Sequence, residues 1–302
     1  MPAHTARRDK TAAALSSVVA AVGLTTFKLI VGLLTNSLGI LAEAAHSALD
    51  LAAALMTFFA VRVSDRPPDR EHQFGHGKIE NISALFETLL LLATSAWIIY
   101  EAVHRLTSAQ VHVEVSPWSF IVMGTSIIVD ATRSRILMRA AKKHNSQALE
   151  ADALHFSTDI WSSSVVILGL IFVLVSRAFP VLAVLEKADA IAALVVAVIV
   201  IYVAGALGLR SVQSLLDAAP QNGARDRIVT EVSRMRKVTN VHAVRIRPSG
   251  AIWFVDLHVT MDGNITLNES HRITERIEQK VQEILKGSDV TVHVEPPELA
   301  ES

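Results

Sequence analysis

The chain of 302 residues contains no cysteine. That excludes disulfides, thiolate-held zinc or iron–sulfur centres, and a cysteine nucleophile. Charge is scarce: 19% of the residues are Asp, Glu, Lys or Arg, against roughly 25% in an average soluble domain. Charge of one sign is scarcer still. A formal net charge of −1 offers no field for a polyelectrolyte, so no nucleic-acid partner is expected. No His-Glu-x-x-His run occurs, which argues against an intramembrane zinc protease. The basic start, Met1 to Lys10, has no signal-peptidase pattern, so the apolar run behind it reads as a retained span. No low-complexity stretch or repeat stands out.

What is present is apolar. Hydrophobic residues make up 51% of the chain and mean hydropathy is +0.40. The charges are uneven: 33 of the first 210 residues carry one, against 24 of the last 92. That split implies a membrane part over residues 1–210 followed by a small soluble domain over residues 211–302.

A membrane helix needs about 20 mostly apolar residues. Six segments meet this: Thr11–Leu34, Leu38–Val63, Ile79–Leu106, Pro117–Ala140, Ala148–Val175 and Ala188–Leu209. The fourth is the weakest, because Asp130, Arg133 and Arg135 interrupt it. With the N-terminus inside, inner segments carry Arg7, Arg8 and Lys10, then Arg62, Arg66, Arg70 and Lys78, then Arg133, Arg135, Arg139, Lys142 and Lys143. Outer segments carry only Arg105, Arg177 and Lys187. The positive-inside rule therefore places both termini in the cytoplasm. Trp118 and Tyr100, near span ends, read as interfacial anchors.

Behind Asp217-Ala-Ala-Pro220 the pattern changes. Arg225–Lys237 has helical spacing, Val241–Arg247 and Ile252–Thr260 alternate as strands around a Pro248-Ser-Gly250 turn, Asn268–Leu285 is helical, and Val290–Val294 is a short strand. The order αββαβ predicts an α+β domain with helices on one face of the sheet. The sequons at Asn264 and Asn268 would be idle in the cytoplasm.

Ionisable residues inside membrane helices are costly, and each is a candidate for function. The second span contains His46-Ser-Ala-Leu-Asp50, the fifth His155-Phe-Ser-Thr-Asp159. Residues four apart share a helix face. If the two faces meet, two nitrogens and two oxygens converge in a tetrahedral set suited to Zn²⁺. The alternative is a pair of structural hydrogen bonds between helices. A closed set of four protein ligands argues against catalysis, which needs an open position. Lys28, Glu43 and Asp130 are equally costly and take no specific role from the sequence. The loop Asp69-Arg-Glu-His72-Gln-Phe-Gly75-His76-Gly77-Lys78 holds two imidazoles and a carboxylate. It reads equally as a metal site at the cytoplasmic mouth and as a polar, glycine-rich turn. In the tail, His242, His258 and His293 fall in three expected strands, with Glu295 on the same face as His293 and His271 in a helix. Three strand histidines with a carboxylate point to a metal cluster.

Together these residues resemble the cation diffusion facilitator family, and within it the YiiP-type bacterial transporters. The resemblance spans nearly the whole chain. It rests on His46/Asp50, His155/Asp159, the run His72-Gln-Phe-Gly-His76-Gly-Lys78, Ser214-Leu-Leu-Asp217, Val241-His242, Leu257-His258-Val259, and Val292-His293 with Glu295. It implies six transmembrane helices, a metallochaperone-like cytoplasmic domain and a homodimer in the cytoplasmic (inner) membrane. His46, Asp50, His155 and Asp159 would form the transport site. Asp69, His72 and His76 would form a loop site. His242, His258, His271, His293 and Glu295 would belong to a two-metal site where the soluble domains meet, and Lys78 with Asp217 to a charge pair helping to hold the dimer. Zn²⁺ would be both cargo and a structural or regulatory ion, and protons the counter-substrate. Two positions depart from the YiiP type, which has Asp at the places of His46 and Glu295. The His46 version is typical of the zinc-selective branch.

The expectation is a multi-pass zinc/proton antiporter surrounded by lipid, not an enzyme. The alternatives are an exporter of Fe²⁺, Mn²⁺, Co²⁺ or Cd²⁺ of the same architecture, a membrane metal sensor, and an intramembrane metalloenzyme.

Overall fold

The computed structural model describes residues 2–107, 117–178, 185–220 and 223–297. The side chains of the three outer basic residues, Arg105, Arg177 and Lys187, lie outside the described residues. The chain forms two compact units, one of residues 1–65 and 79–211, the other of residues 66–78 and 212–302.

The first unit is built from six long helices: α1 (Pro2–Thr35), α2 (Leu38–Ser64), α3 (Lys78–Thr107), α4 (Pro117–His144), α5 (Gln147–Ala178) and α6 (Leu185–Leu215). The protein is a helical membrane protein. Among the described residues, Thr5–Thr35, Leu38–Ser64, Lys78–His104 and Ala193–Leu215 are long and apolar enough to cross a bilayer. Helix α4 falls short of that mark because it carries Asp130, Arg133, Arg135 and Arg139. Large apolar side chains such as Val19, Leu33, Trp97, Val198 and Tyr202 are exposed, as expected where lipid replaces water.

Two helical hairpins, α1–α2 and α4–α5, are made the same way. Asn36 and Asn145 both take left-handed backbone, φ 50° and 51°, a conformation asparagine tolerates at a helix end. In each hairpin a serine follows. Its amide bonds back to a carbonyl five residues earlier, Ser37 to Gly32 and Ser146 to Ala141. Its hydroxyl accepts an N–H of the next helix, from Ile40 and from Leu149. His46 and His155 each stand nine residues past that serine, so one geometry serves both. This is the repeat that apolar composition hides: Asn36-Ser37…Glu43…His46…Asp50 matches Asn145-Ser146…Asp152…His155…Asp159. Small residues let the backbones approach. A Cβ on Gly32 would stand 2.8 Å from Leu41 Cδ2.

α1, α2, α4 and α5 pack against one another, with Ala14, Val61, Leu137, Leu149 and Phe156 in a shared core. α3 and α6 join through Leu91, Val200 and Ala204, and reach α5 through Ala84, Ala151 and Leu207. Several charged residues of these helices are paired. Lys28 Nζ meets Glu43 at 3.1 Å. Asp130 meets Arg133 at 3.2 Å, and that guanidinium also bonds Ser17 and covers the Phe156 ring. Lys10, almost fully buried, bridges Asp65 and Glu80, and Glu80 further accepts from Ser64 and Ser146. Buried charges persist only when paired in this way.

The second unit contains α7 (Ala224–Ser233), β1 (Asn240–Ser249), β2 (Ile252–Thr260), α8 (Leu267–Ile284) and β3 (Ser288–Glu295), in the predicted αββαβ order. The sheet order is β1-β2-β3, antiparallel then parallel. Val244, Val255, Leu257 and Val259 of the sheet pack on Ile228 and Val232 of α7 and on Ile273, Ile277 and Val281 of α8. Thr266 caps α8: its Oγ1 accepts the Glu269 N–H. The loop 66–78 belongs to this unit. Phe74 packs edge-on against Phe254, Arg247 covers both rings, and Gly77 lies so close to the Ser249 carbonyl that a Cβ would overlap it.

Candidate metal centre

Where α2 and α5 pack, the two His-x-x-x-Asp faces meet. His155 Nε2 lies 3.3 Å from Asp50 Oδ1 and 3.6 Å from Asp159 Oδ2. His46 Nε2 lies 3.8 Å from Asp50 Oδ1 and 3.9 Å from Asp159 Oδ1. A tetrahedral ion with bonds near 2.05 Å separates its ligand atoms by about 3.3 Å. Each imidazole thus stands near that separation from both carboxylates. His46, Asp50 and Asp159 each bring one ligand atom within 4.8 Å of the others, and His155 adjoins this trio through Asp50 and Asp159. Asp50 and His155 are buried, while 40% of the His46 side-chain surface is accessible.

Two further side chains adjoin this quartet and escaped the sequence reading. Glu87 of α3 is fully buried, and its Oε2 stands 3.5 Å from His155 Nδ1. Thr57 of α2 donates to Glu87 Oε1 at 3.3 Å. Asp152, one turn before His155, is also fully buried, with Ser17 near its Oδ2. The signal for both was an ionisable residue within a span, the same signal that singled out Lys28, Glu43 and Asp130.

The loop group is brought together as well. Asp69 lies 3.4 Å from His72 Nδ1 and 3.3 Å from His76 Nε2, with the two rings 4.5 Å apart. Asp69 Oδ1 also accepts the N–H groups of His72 and Glu71. The His72 N–H above all, with that of Glu71 and the nearby imidazoles, holds this carboxyl below its ordinary value. Gly75 closes the turn at φ +77°.

In the tail, His242, His258 and His293 form one row across the sheet: His242 pairs with His258, and His258 with His293. The row alternates with the core residues Val241, Leu257, Val259, Val292 and Val294, and so lies on the face opposite α7 and α8. Glu295 meets all three: His242 at 3.0 Å, His258 at 2.8 Å and His293 at 3.5 Å. His242 Nδ1 is buried without a hydrogen-bond partner. His242, His258 and Glu295 each bring a ligand atom within 4.8 Å of the others, a donor set that fits a divalent ion, and the arm of Glu295 reaches all three imidazoles. His271 stands apart within one chain, exposed on α8 against Glu275. Lys78 pairs with Asp217 at 2.9 Å within the chain and donates to the Leu215 carbonyl.

A helical membrane unit in which two helices present matched imidazole and carboxylate donors, joined to an α+β unit bearing a second such cluster, defines a metal-cation transporter. Family models agree. That of the cation efflux transmembrane domain matches residues 14–216, and that of the cation efflux protein cytoplasmic domain matches residues 220–297. The chain belongs to the cation efflux, or cation diffusion facilitator, family. It is 31% identical over 289 residues to the cation-efflux pump FieF of Cronobacter sakazakii, covering 94% of this chain and 92% of that protein. Among solved structures it is similar to a CzrB chain in its Zn form, at 25% identity and a TM-score of 0.26, covering 28% of this chain and 97% of that one. It is also similar to the metal-bound C-terminal domain of the CzcD transporter from Thermotoga maritima, at 32% identity and a TM-score of 0.23, covering 24% of this chain and 86% of that one.

Proposed function

We propose that the protein exports Zn²⁺ from the cytoplasm in exchange for protons, by alternating access around His46, Asp50, His155 and Asp159. The observation that supports this reading is that the imidazoles of His46 and His155 each lie 3.3–3.9 Å from both carboxylates, Asp50 and Asp159, between α2 and α5. Two imidazoles select a borderline-soft, tetrahedral ion over Mg²⁺ or Ca²⁺, which take all-oxygen sites. Imidazole binds metal only when neutral, and it titrates near about 6.5 when unperturbed. Loading zinc thus displaces protons, and protons arriving from the far side displace zinc. No thiolate is present to make release slow.

In this reading the membrane part is residues 1–210 and the cytoplasmic part residues 211–302. Both termini face the cytoplasm, and the protein works as a homodimer in the cytoplasmic membrane. Asp69, His72 and His76 receive zinc at the cytoplasmic mouth. His242, His258, His293 and Glu295 hold regulatory zinc on the open sheet face, and His271 joins that site through the dimer. Lys78 and Asp217 form a charge pair near the membrane surface that helps hold the dimer. The test is zinc uptake by proteoliposomes with a pH-sensitive dye in the lumen, repeated with Fe²⁺, Mn²⁺, Co²⁺ and Cd²⁺. Zinc entry with stoichiometric proton exit is expected. Metal binding without any flux would make the chain a sensor.

A further inference from the structure

The two imidazoles of the quartet are not equivalent. His46 is part-exposed, and among the described residues its ion pairs are to Asp50 and Asp159, both through Nε2. His155 is buried, its Nε2 faces the same two carboxylates, and its Nδ1 faces Glu87 Oε2 at 3.5 Å. Both His155 Nδ1 and Glu87 Oε2 are buried with no hydrogen-bond partner. Two orphaned polar atoms facing each other in a dry interior are costly, and a shift of about half an ångström turns them into a charge-assisted bond. Glu87 is itself aimed, because Thr57 Oγ1 donates to its other oxygen. The carboxylate comes from α3, a helix that supplies none of the four ligands.

We propose that Glu87 is a positioning residue for metal binding: it takes the Nδ1–H of His155 and fixes the tautomer whose Nε2 lone pair points at the ion. His155 is then the pre-set ligand and His46 the adjustable one. Carboxylates behind a metal-bound imidazole act in this way, raising ligand basicity and fixing the ring. The chain Thr57–Glu87–His155 also ties α2, α3 and α5 to one ion, so loading and release are felt by three helices. The inference rests on the quartet being the transport site.

The test uses the full chain in detergent, with Asp69→Ala and His258→Ala present so that titration reports the quartet. Zn²⁺ affinity is measured, and Co²⁺ serves as a spectroscopic probe of geometry. Glu87→Leu removes the acceptor and is expected to weaken zinc by about 10–100-fold and to change the Co²⁺ absorption bands. Glu87→Gln keeps an acceptor oxygen and is expected to lose less affinity and keep the wild-type bands. A folded Glu87→Leu chain with zinc affinity within about twofold of wild type and an unchanged spectrum would overturn the proposal. Should Glu87→Leu not fold, the ring ¹⁵N shifts of zinc-loaded wild type decide, with the His155 signals assigned by their loss in His155→Asn. Metal on Nε2 with a proton on Nδ1 supports the proposal, and metal on Nδ1 with a proton on Nε2 refutes it. Asp159→Ala runs alongside. Loss of binding there with none in Glu87→Leu defeats the positioning role alone, while wild-type binding in Asp159→Ala defeats the quartet and this inference with it.

Discussion

Replacing His46 by aspartate isolates what the second imidazole contributes. The two contacts of His46, 3.8 and 3.9 Å, are the longest in the quartet, while those of His155 are 3.3 and 3.6 Å. His46 is also the accessible corner, with 40% of its side-chain surface open against 4% for His155, so a change there meets the least steric resistance. His46→Asp turns two nitrogens and two oxygens into one nitrogen and three oxygens and adds a negative charge. The charge attracts every divalent ion. The carboxylate also binds through one oxygen or two, which suits a larger ion with higher coordination number. Cadmium gains from both effects and zinc from the first alone. A differential of about 1.4 kcal/mol corresponds to tenfold, so the cadmium-to-zinc flux ratio of His46→Asp should rise by about that factor, with zinc transport retained. The assay is paired metal uptake into proteoliposomes by wild type and variant, matched for incorporated protein. An unchanged ratio would show that helix packing, not the donor at position 46, sets selectivity.

Zinc at one hundred times its dissociation constant should stabilise the isolated domain, residues 211–302, by about 2.7 kcal/mol, read as a thermal shift; His258→Ala or Glu295→Ala should abolish the shift, and a persisting shift would show that the histidine row is structural. Gly77→Ala places a Cβ against the Ser249 carbonyl and should cost about 1–3 kcal/mol as overpacking, seen as earlier melting of the full chain, whereas an unchanged melting temperature would mean the loop re-docks freely. Lys237 holds Glu269 below its ordinary value of 4.5. A depressed carboxyl contributes stability above its unfolded value and loses it as pH falls through the folded one, so acid denaturation of the tail domain should be shallower below about pH 4.5 in Glu269→Gln; superimposable curves would remove this pair from the account.

Much of the membrane unit was legible because membrane helices must satisfy their own backbone, leaving apolar length as the governing signal. All six long helices stand where apolar runs were read. Their ends were less legible. Helix α1 begins at Pro2 rather than Thr11, because polar residues continue the helix once Lys10 finds Asp65 and Glu80. Helix α4 runs on to His144, and Asp130 and Arg133, which looked like interruptions, cancel each other inside the bundle. His46, Asp50, His155 and Asp159 could be found because each motif repeats a spacing that puts both side chains on one face. Glu87 could not be tied to them, since its relation to His155 spans 68 positions and depends on α3 packing near α5. In the tail, strand alternation located the three histidines, while their alignment in one row depends on register. The β1 bulge between His242 and Arg245, with Ala243 at φ 50°, sets that register, and no local residue pattern announces it. His271 was grouped with the row by resemblance, and a single chain leaves it apart on α8.

If the quartet carries zinc across the membrane in exchange for protons, zinc entry and proton exit must fail together when one ligand is lost. Proteoliposomes holding wild type or Asp159→Ala, matched for folded protein, should be given an external zinc pulse while internal zinc and internal pH are followed together. The account predicts that wild type takes up zinc and expels protons in fixed ratio, and that Asp159→Ala does neither. Near-normal zinc uptake by Asp159→Ala, or wild-type uptake that leaves internal pH unchanged, would contradict it.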